Sequence, residues 1–430
     1  MMKFSEVKGW RIPEGTLKRV RKKDSDLLWG DPNYERYYVS MGDSIAAGHT
    51  INADWDKNYG ERSQYGVNGN TSTVIVPQSY TDLIRTDLYN TYDAGDVKVT
   101  SYARSGDTVA DLMEKLNHAE VQRELSKAKI VTICIGANNV LEPAMSHLDE
   151  YITTGSLASA EAVIENNFTA LANDNDANSY TALFSKLSAL NPNAQYVFTT
   201  VYNPYKYLYI EEGQNGFFKP VLDTIPEMVI DVDGMVEDMF LGGNNWLPDT
   251  NIGLGSIIKD GILSTPIFVQ LFSRVNGVGG WAENYVTRLN TLLRDKINAY
   301  KAVNPNFYVA ESKALFDTYP DRTVAADVHY NDLVNVEFTR GYDISQVDWG
   351  QLWGNGDVTA YWTNLAWKHI SWSNAFPSTN VLDYVSFDIN GFAVDLAEQV
   401  VEKVITKDVD PHPEEYGHIV LKRAFTDATK

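Results

Sequence analysis

From Arg36 onward the apolar positions of the chain switch repeatedly between two periods. Tyr37-Tyr38-Val39-Ser40-Met41 is a compact β-prone run, and Ser79 to Tyr92 then places Tyr80, Leu83, Ile84 and Leu88 at helical spacing. Val97 to Tyr102 predicts a second strand, Thr108 to Leu116 a helix, and Ile130 to Ile135 a fully apolar strand. Residues 158 to 190 predict helix, Gln195 to Val201 strand, 281 to 300 helix and Phe307 to Ala310 strand. Strands separated by helices predict an α/β fold with a parallel sheet covered on both faces.

Two stretches, roughly 205–280 and 318–388, break this rhythm. Ordinary connections have a median of about 4–6 residues, so both are expected to be insertions with structure of their own. The first holds Gly-rich turns and an apolar segment from Ile257-Ile258 through Phe268-Val269 to Leu271-Phe272. The second is aromatic, with Trp349, Trp353, Trp362, Trp367 and Trp372 inside 24 residues. Residues 1–30 carry Ile12-Pro13-Glu14-Gly15 and end in Leu27-Leu28-Trp29-Gly30, a turn-punctuated appendage before the main domain, 31–430. This appendage resembles the short leaders of some phage tail proteins, a resemblance that implies virion partners and an extracellular or virion-associated location.

Composition adds exclusions. With 44% hydrophobic and 22% charged residues over 430 positions, the chain has the make-up of an ordinary folded protein. Its 36 basic against 57 acidic residues give a net charge of −21, whose field repels phosphates and anionic membranes, so nucleic acid is excluded as an expected partner. The one basic cluster, Lys18, Arg19, Arg21, Lys22 and Lys23, reads as a solvated loop. Cys134 is the only cysteine, so no intrachain disulfide exists and redox compartment is not set by it. Met1 to Glu6 lacks the apolar stretch of a signal peptide, so either the chain is not exported by that route or a leader has been removed. Nowhere do eighteen apolar residues run together, and no transmembrane segment is expected.

Candidate chemistry sits where strands end. After the first strand comes Gly42-Asp43-Ser44-Ile45-Ala46-Ala47-Gly48. A serine on a tight turn at the carboxyl end of a parallel strand lies where open α/β sheets bind ligands, though it needs a neighbouring base to become a nucleophile. Ala103-Arg104-Ser105-Gly106-Asp107-Thr108 and Gly136-Ala137-Asn138-Asn139 follow the next two strands of this rim. The backbone N–H groups of Ser44 and Gly106 with the side-chain amide of Asn138 would make three donors for a developing oxyanion. Taken singly, each of these is more often a turn residue. Near the far end, Asp408-Val409-Asp410-Pro411-His412-Pro413 is followed by Gly417-His418 and an amphipathic helical pattern. A rigid turn that fixes an imidazole beside a carboxylate is what a general base requires.

The ordered series Gly-Asp-Ser, Gly106, Gly-x-Asn and an Asp-containing His-Pro turn resembles the four blocks of the SGNH, or GDSL-type, esterases and lipases. It spans residues 42–418, nearly the whole chain, while the two insertions match nothing in it. The resemblance implies a flavodoxin-like three-layer αβα sandwich and ester hydrolysis through an acyl-enzyme. It implies Ser44 as nucleophile, Gly106 and Asn138 as oxyanion donors and His412 as general base. Neither cofactor nor metal is expected, since the seven histidines and single cysteine form no ligand spacing.

Two departures stand out. Asn139 replaces the aspartate that usually closes the third block; that aspartate is mostly structural, so activity is expected to survive. The acid that commonly lies three residues before the histidine is replaced by Val409. Pro411 pushes residue 410 toward extended backbone, where residues two apart project to one side, which favours Asp410 over Asp408 as partner of His412. A Ser-His dyad remains open. The substrate expectation is a small-molecule or carbohydrate ester, deacetylation of a carbohydrate being favoured because tryptophan faces stack on sugar rings. Two rivals are a lipase, with the apolar segment 253–273 as a lid, and a non-catalytic tail or receptor-binding protein on the same fold.

Overall fold

The computed structural model describes residues 36–49, 51, 75–92, 96–147, 150–151, 155–207, 229–231, 251–253, 266–321, 324–336, 370–372, 385–388, 391, 395 and 409–429. For 145, 229–231, 251–253, 266–273, 275–276, 335–336, 370–372, 385–387 and 409–411 it describes backbone alone. The N-terminal appendage, the basic cluster, Asp408, Trp349, Trp353, Trp362 and Trp367 lie outside the described residues, as do the side chains of Asp410 and Trp372.

Five parallel strands form the central sheet: β1 (Arg36–Gly42), β2 (Val97–Ser101), β3 (Ile130–Cys134), β4 (Gln195–Thr199) and β5 (Phe307–Ala310). Their order is β2-β1-β3-β4-β5, with every pair parallel. This is the 2-1-3-4-5 order of flavodoxin-like sheets, and the chain reverses its direction of travel across the sheet between β1 and β3, where such folds bind ligands.

Between the strands run α1 (Ser44–Ala47), α2 (Tyr80–Thr91), α3 (Val109–Lys115), α4 (Ala119–Leu125) and α5 (Ala137–Met145). They are followed by α6 (Ala158–Ala172), α7 (Tyr180–Leu190), α8 (Pro266–Tyr300), α9 (Ser312–Phe316) and the terminal α10 (Glu415–Asp427). Helices α3, α5, α6, α7 and α8 pack on one another over one face, while α2, α9 and α10 cover the other. The result is a three-layer αβα sandwich.

The two faces differ because strand residues alternate sides. Val39, Met41, Val131, Ile133, Tyr196 and Phe198 join the side chains of α3, α5, α6, α7 and α8 in one continuous apolar core. The opposite positions are polar: Tyr38 Oη is 2.8 Å from Thr132 Oγ1, Ser40 Oγ is 3.2 Å from Tyr80 Oη, and Thr81 donates to Ser40 Oγ at 2.9 Å.

Three boundaries depart from the periodic pattern. The single helix expected over 158–190 is two, α6 and α7, because Asn173 and Asp176 accept from the backbone N–H groups two residues on and Ser179 caps α7. Helix α8 starts at Pro266 rather than 281 and takes in the end of the apolar segment 253–273. Its run Gly277-Val278-Gly279-Gly280 looks like a break, yet at two of these glycines a neighbour comes close: a Cβ on Gly279 would stand 2.3 Å from the Tyr205 carbonyl oxygen, and one on Gly277 2.9 Å from Tyr151 Oη. The turn expected around His412 is an extended strand, β7 (Val409–Pro413), paired antiparallel with β6 (Val334–Val336) in an irregular register. Pro411 and Pro413 favour extended backbone at and before themselves and withhold N–H groups, which makes the segment a short, bulged edge pair.

Among the described residues no helix is long and apolar enough to cross a membrane.

Candidate active site

The carboxyl end of β1 is built to hold one serine at the sheet's rim. Gly42 has φ of 130°, and a Cβ there would come within 1.9 Å of the Cys134 carbonyl oxygen. Only glycine lets β1 and β3 approach this closely. The same carbonyl then accepts from Asp43 N–H at 2.9 Å, and Gly42 O accepts from Arg104 N–H at 2.9 Å. The turn is thereby tied to both neighbouring strand ends.

Asp43 caps α1, its Oδ1 accepting from Ile45 N–H at 3.1 Å, and Gly48 closes the helix in left-handed backbone, with φ of 76°. Ser44 is the first residue of that helix, where a backbone N–H has no intrahelical acceptor. Among the described residues nothing accepts from the Ser44 N–H, and the Ser44 hydroxyl has no hydrogen-bond partner. The residue is 8% exposed, so this unused capacity is sheltered from bulk solvent.

Asp43 is buried directly beneath. Burial pushes its carboxyl up to about 7, against the downward pull of the Ile45 N–H, the Cys134 thiol and the charge of His412. Cys134, free and buried, is raised in turn by burial and by Asp43.

The second turn presents Gly106 at the surface with φ of 84° and open space where a Cβ would be. A buried ion pair holds it: Lys115 donates to Asp107 and, at 2.6 Å, to the Tyr102 carbonyl, while Arg104 reaches Asp107 at 2.9 Å. The third turn begins at Gly136, whose φ is 110° and whose missing Cβ leaves room for Tyr180 Oη. Asn138 then donates through Nδ2 to the Asp107 carbonyl at 3.0 Å, which locks its amide to the second turn and leaves its other amide hydrogen unused. Asn139 accepts from Val109 N–H, the first of α3, at 3.1 Å.

His412 arrives from the far end of the chain. Its strand, β7, packs against α1, and its imidazole stacks on that of His49 with ring centroids 4.5 Å apart and planes inclined by 20°. Ser44, Gly106, Asn138 and His412 are therefore carried on segments that meet at one rim. His49 was not singled out by the sequence. It follows the first block by one residue, and its contacts with Ser105 (Nδ1 to Oγ, 2.9 Å) and His412 join segments distant in sequence.

His418, the other histidine of the terminal segment, is different. It is fully buried on α10 and accepts at Nδ1 from Tyr80 N–H at 3.1 Å; burial and the nearby His412 push it down to about 3, so it stays neutral. Among the described residues no group of three or more His, Cys, Asp or Glu side chains is placed to hold a metal ion.

A family model described as GDSL-like Lipase/Acylhydrolase matches residues 38–338. Among curated proteins no relative matches the chain. Similar solved structures include a phospholipase A1 from Streptomyces albidoflavus NA297, 13% identical over 69% of this chain and 92% of that one, with a TM-score of 0.33. Another is Axe2, an acetylxylan esterase from Geobacillus stearothermophilus, 12% identical over 87% of this chain and 96% of that one, TM-score 0.30. A third is an extracellular lipase from Streptomyces rimosus, 12% identical over 64% and 81%, TM-score 0.32.

Proposed function

Because the chain belongs to the GDSL-like lipase/acylhydrolase family and is a carboxylic ester hydrolase, we propose that Ser44 and His412 carry its chemistry and that its substrate is an acylated carbohydrate. The observation that carries the first part is the state of Ser44: a sheltered hydroxyl and N–H, both unpaired among the described residues, on a helix packed against the strand of His412.

In this reading His412 takes the proton from Ser44 Oγ as the oxygen attacks the ester carbonyl. The carbonyl oxygen becomes an oxyanion, met by the N–H groups of Ser44 and Gly106 and by the unused amide hydrogen of Asn138. Collapse expels the alcohol, which leaves with the proton held by His412. A water then gives its proton to His412 and attacks the acyl-enzyme; the carboxylic acid departs and Ser44 recovers its proton. Asp410 is the favoured partner for the second ring nitrogen of His412, since residues two apart in extended backbone project to one side.

The carbohydrate part rests on the sequence, where five tryptophans crowd 24 residues of the second insertion. A panel of p-nitrophenyl acetate, a long-chain p-nitrophenyl ester and an acetylated oligosaccharide tests it. Release of acetate from the oligosaccharide at the highest kcat/KM is expected; preference for the long-chain ester would replace this reading with a lipase.

A further inference from the structure

His49 has no part in the steps above, yet it touches two of the segments that perform them. Its Nδ1 lies 2.9 Å from Ser105 Oγ, next to Gly106, and its ring is stacked on that of His412 at 4.5 Å between centroids. Its own N–H is bonded to the Ser44 carbonyl at 3.0 Å. One residue thus joins the turn of the nucleophile, the turn of Gly106 and the imidazole of His412.

We propose that His49 is a positioning residue, which fixes the ring plane of His412 by face-to-face stacking and is itself held in register by Ser105. The inference rests on the reading of His412 as general base. Its physical basis is that, among the described residues, β7 pairs with the three-residue β6 alone and in an irregular register, a poor clamp for a ring that must face Ser44. A flat surface against the imidazole removes rotation about its last side-chain bond. The serine hydroxyl both donates and accepts, so the bond to His49 Nδ1 survives in either tautomer.

The test uses His49→Ala, His49→Phe and Ser105→Ala, with kcat, KM and thermal midpoint measured on p-nitrophenyl acetate. His49→Ala is expected to lower kcat by about tenfold to a hundredfold, the scale of a catalytic group slightly out of place, with KM little changed. His49→Phe, which restores a flat ring without its nitrogens, is expected to recover most of that loss. Ser105→Ala should fall between wild type and His49→Ala. Should His49→Ala fail to fold, the Phe and Ser105 variants still decide the matter. The proposal is overturned if His49→Ala keeps wild-type kcat, or if Phe and Ala variants share a raised KM at unchanged kcat, which would mark His49 as a substrate contact. Loss of activity in Ser44→Ala and His412→Ala alongside a normal His49→Ala sinks this inference and leaves the Ser-His reading standing; full activity in Ser44→Ala sinks the reading itself.

Discussion

The carboxyl rim of the sheet and the polar face just beneath it are made from the same residue types, put to opposite uses. Ser40 is wholly buried, with Tyr80 Oη and Thr81 Oγ1 as hydrogen-bond partners; Ser44, on the turn that follows, has none among the described residues. His418 spends a ring nitrogen on the Tyr80 backbone and is held neutral, whereas His412 lies part-exposed against His49. Buried polar groups that satisfy one another hold structure, and a rim whose donors and hydroxyl remain unused is equipped to receive a reacting oxygen. For the two serines, residue type does not separate the regions; hydrogen-bond occupancy among the described residues does.

Substitutions should therefore split into those that remove activity at constant stability and those that do the reverse. Ser44→Ala is the extreme case. Turnover of p-nitrophenyl acetate is expected to fall by on the order of 10⁶, as when a catalytic serine is removed elsewhere, with stability changed by no more than about 0.5 kcal/mol. Retained turnover would dismiss Ser44 as nucleophile. Next comes the acid: Asp410→Asn is expected to cost about 10⁴ in kcat by favouring the wrong tautomer of His412, and Asp408→Asn little. The reverse result would assign Asp408, and no effect from either would leave a dyad. Asn138→Ala should lower kcat by roughly 10²–10³, the cost of one oxyanion donor. A change confined to KM would make Asn138 a substrate-binding residue.

Asp43 lies on the boundary between the regions, and its response is a matter of pH. Its carboxyl is raised by burial from 3.8 to about 7 in the native state. Between those values the unfolded chain has lost the proton while the native protein keeps it, so each rise in pH favours unfolding by about 1.4 kcal/mol per unit. Below about 4 both states are protonated and above about 7 both are ionised, so the loss is confined to that window. Thermal midpoints of wild type and Asp43→Asn, followed from pH 4 to 8.5, should diverge through it, the variant gaining relative to wild type. Parallel curves would mean that Asp43 ionises normally.

Most of the architecture was legible because central strands buried on both sides read as apolar runs, and each expected strand of the sheet is present within a residue or two. The three rim turns were legible for the same reason: each directly follows such a strand. What escaped were features set by contacts rather than by period. Residues 173–179, Asn-Asp-Asn-Asp-Ala-Asn-Ser, carry a turn signal that a reading by apolar period passes over, and there the Asx turns divide α6 from α7. Gly277 and Gly279 of α8 are explained by Tyr151 and Tyr205, which no local window contains. Helices α4 and α5 are short enough that their apolar faces span barely two turns. At the site, the stack of His49 on His412 joins opposite ends of the chain, and the burial that raises Asp43 comes from β3 and the layers around it. Asn139, a departure in sequence, supplies in space an acceptor oxygen to Val109 N–H.

The smallest expected effect is the sharpest test of the contrast. Ser40→Ala removes the hydroxyl that serves both Tyr80 and Thr81, inside a face with no access to replacement water at Ser40 itself, which is 0% exposed. Leaving buried partners short of a bond costs about 1–3 kcal/mol, so thermal midpoint should fall by a few degrees. If the two regions are as separate as their hydrogen bonding implies, kcat on p-nitrophenyl acetate should stay within about twofold, since surface chemistry and buried structure then add independently. There is one route by which they would not. Thr81 Oγ1 also lies 3.5 Å from the Ala46 carbonyl of α1, the helix that opens with Ser44. Freed from Ser40, Thr81 can turn fully to that carbonyl and tilt the helix. A fall in kcat well beyond twofold, at unchanged KM, would show that the buried face aims the nucleophile as well as supporting it, and the division drawn above would have to be redrawn through Thr81.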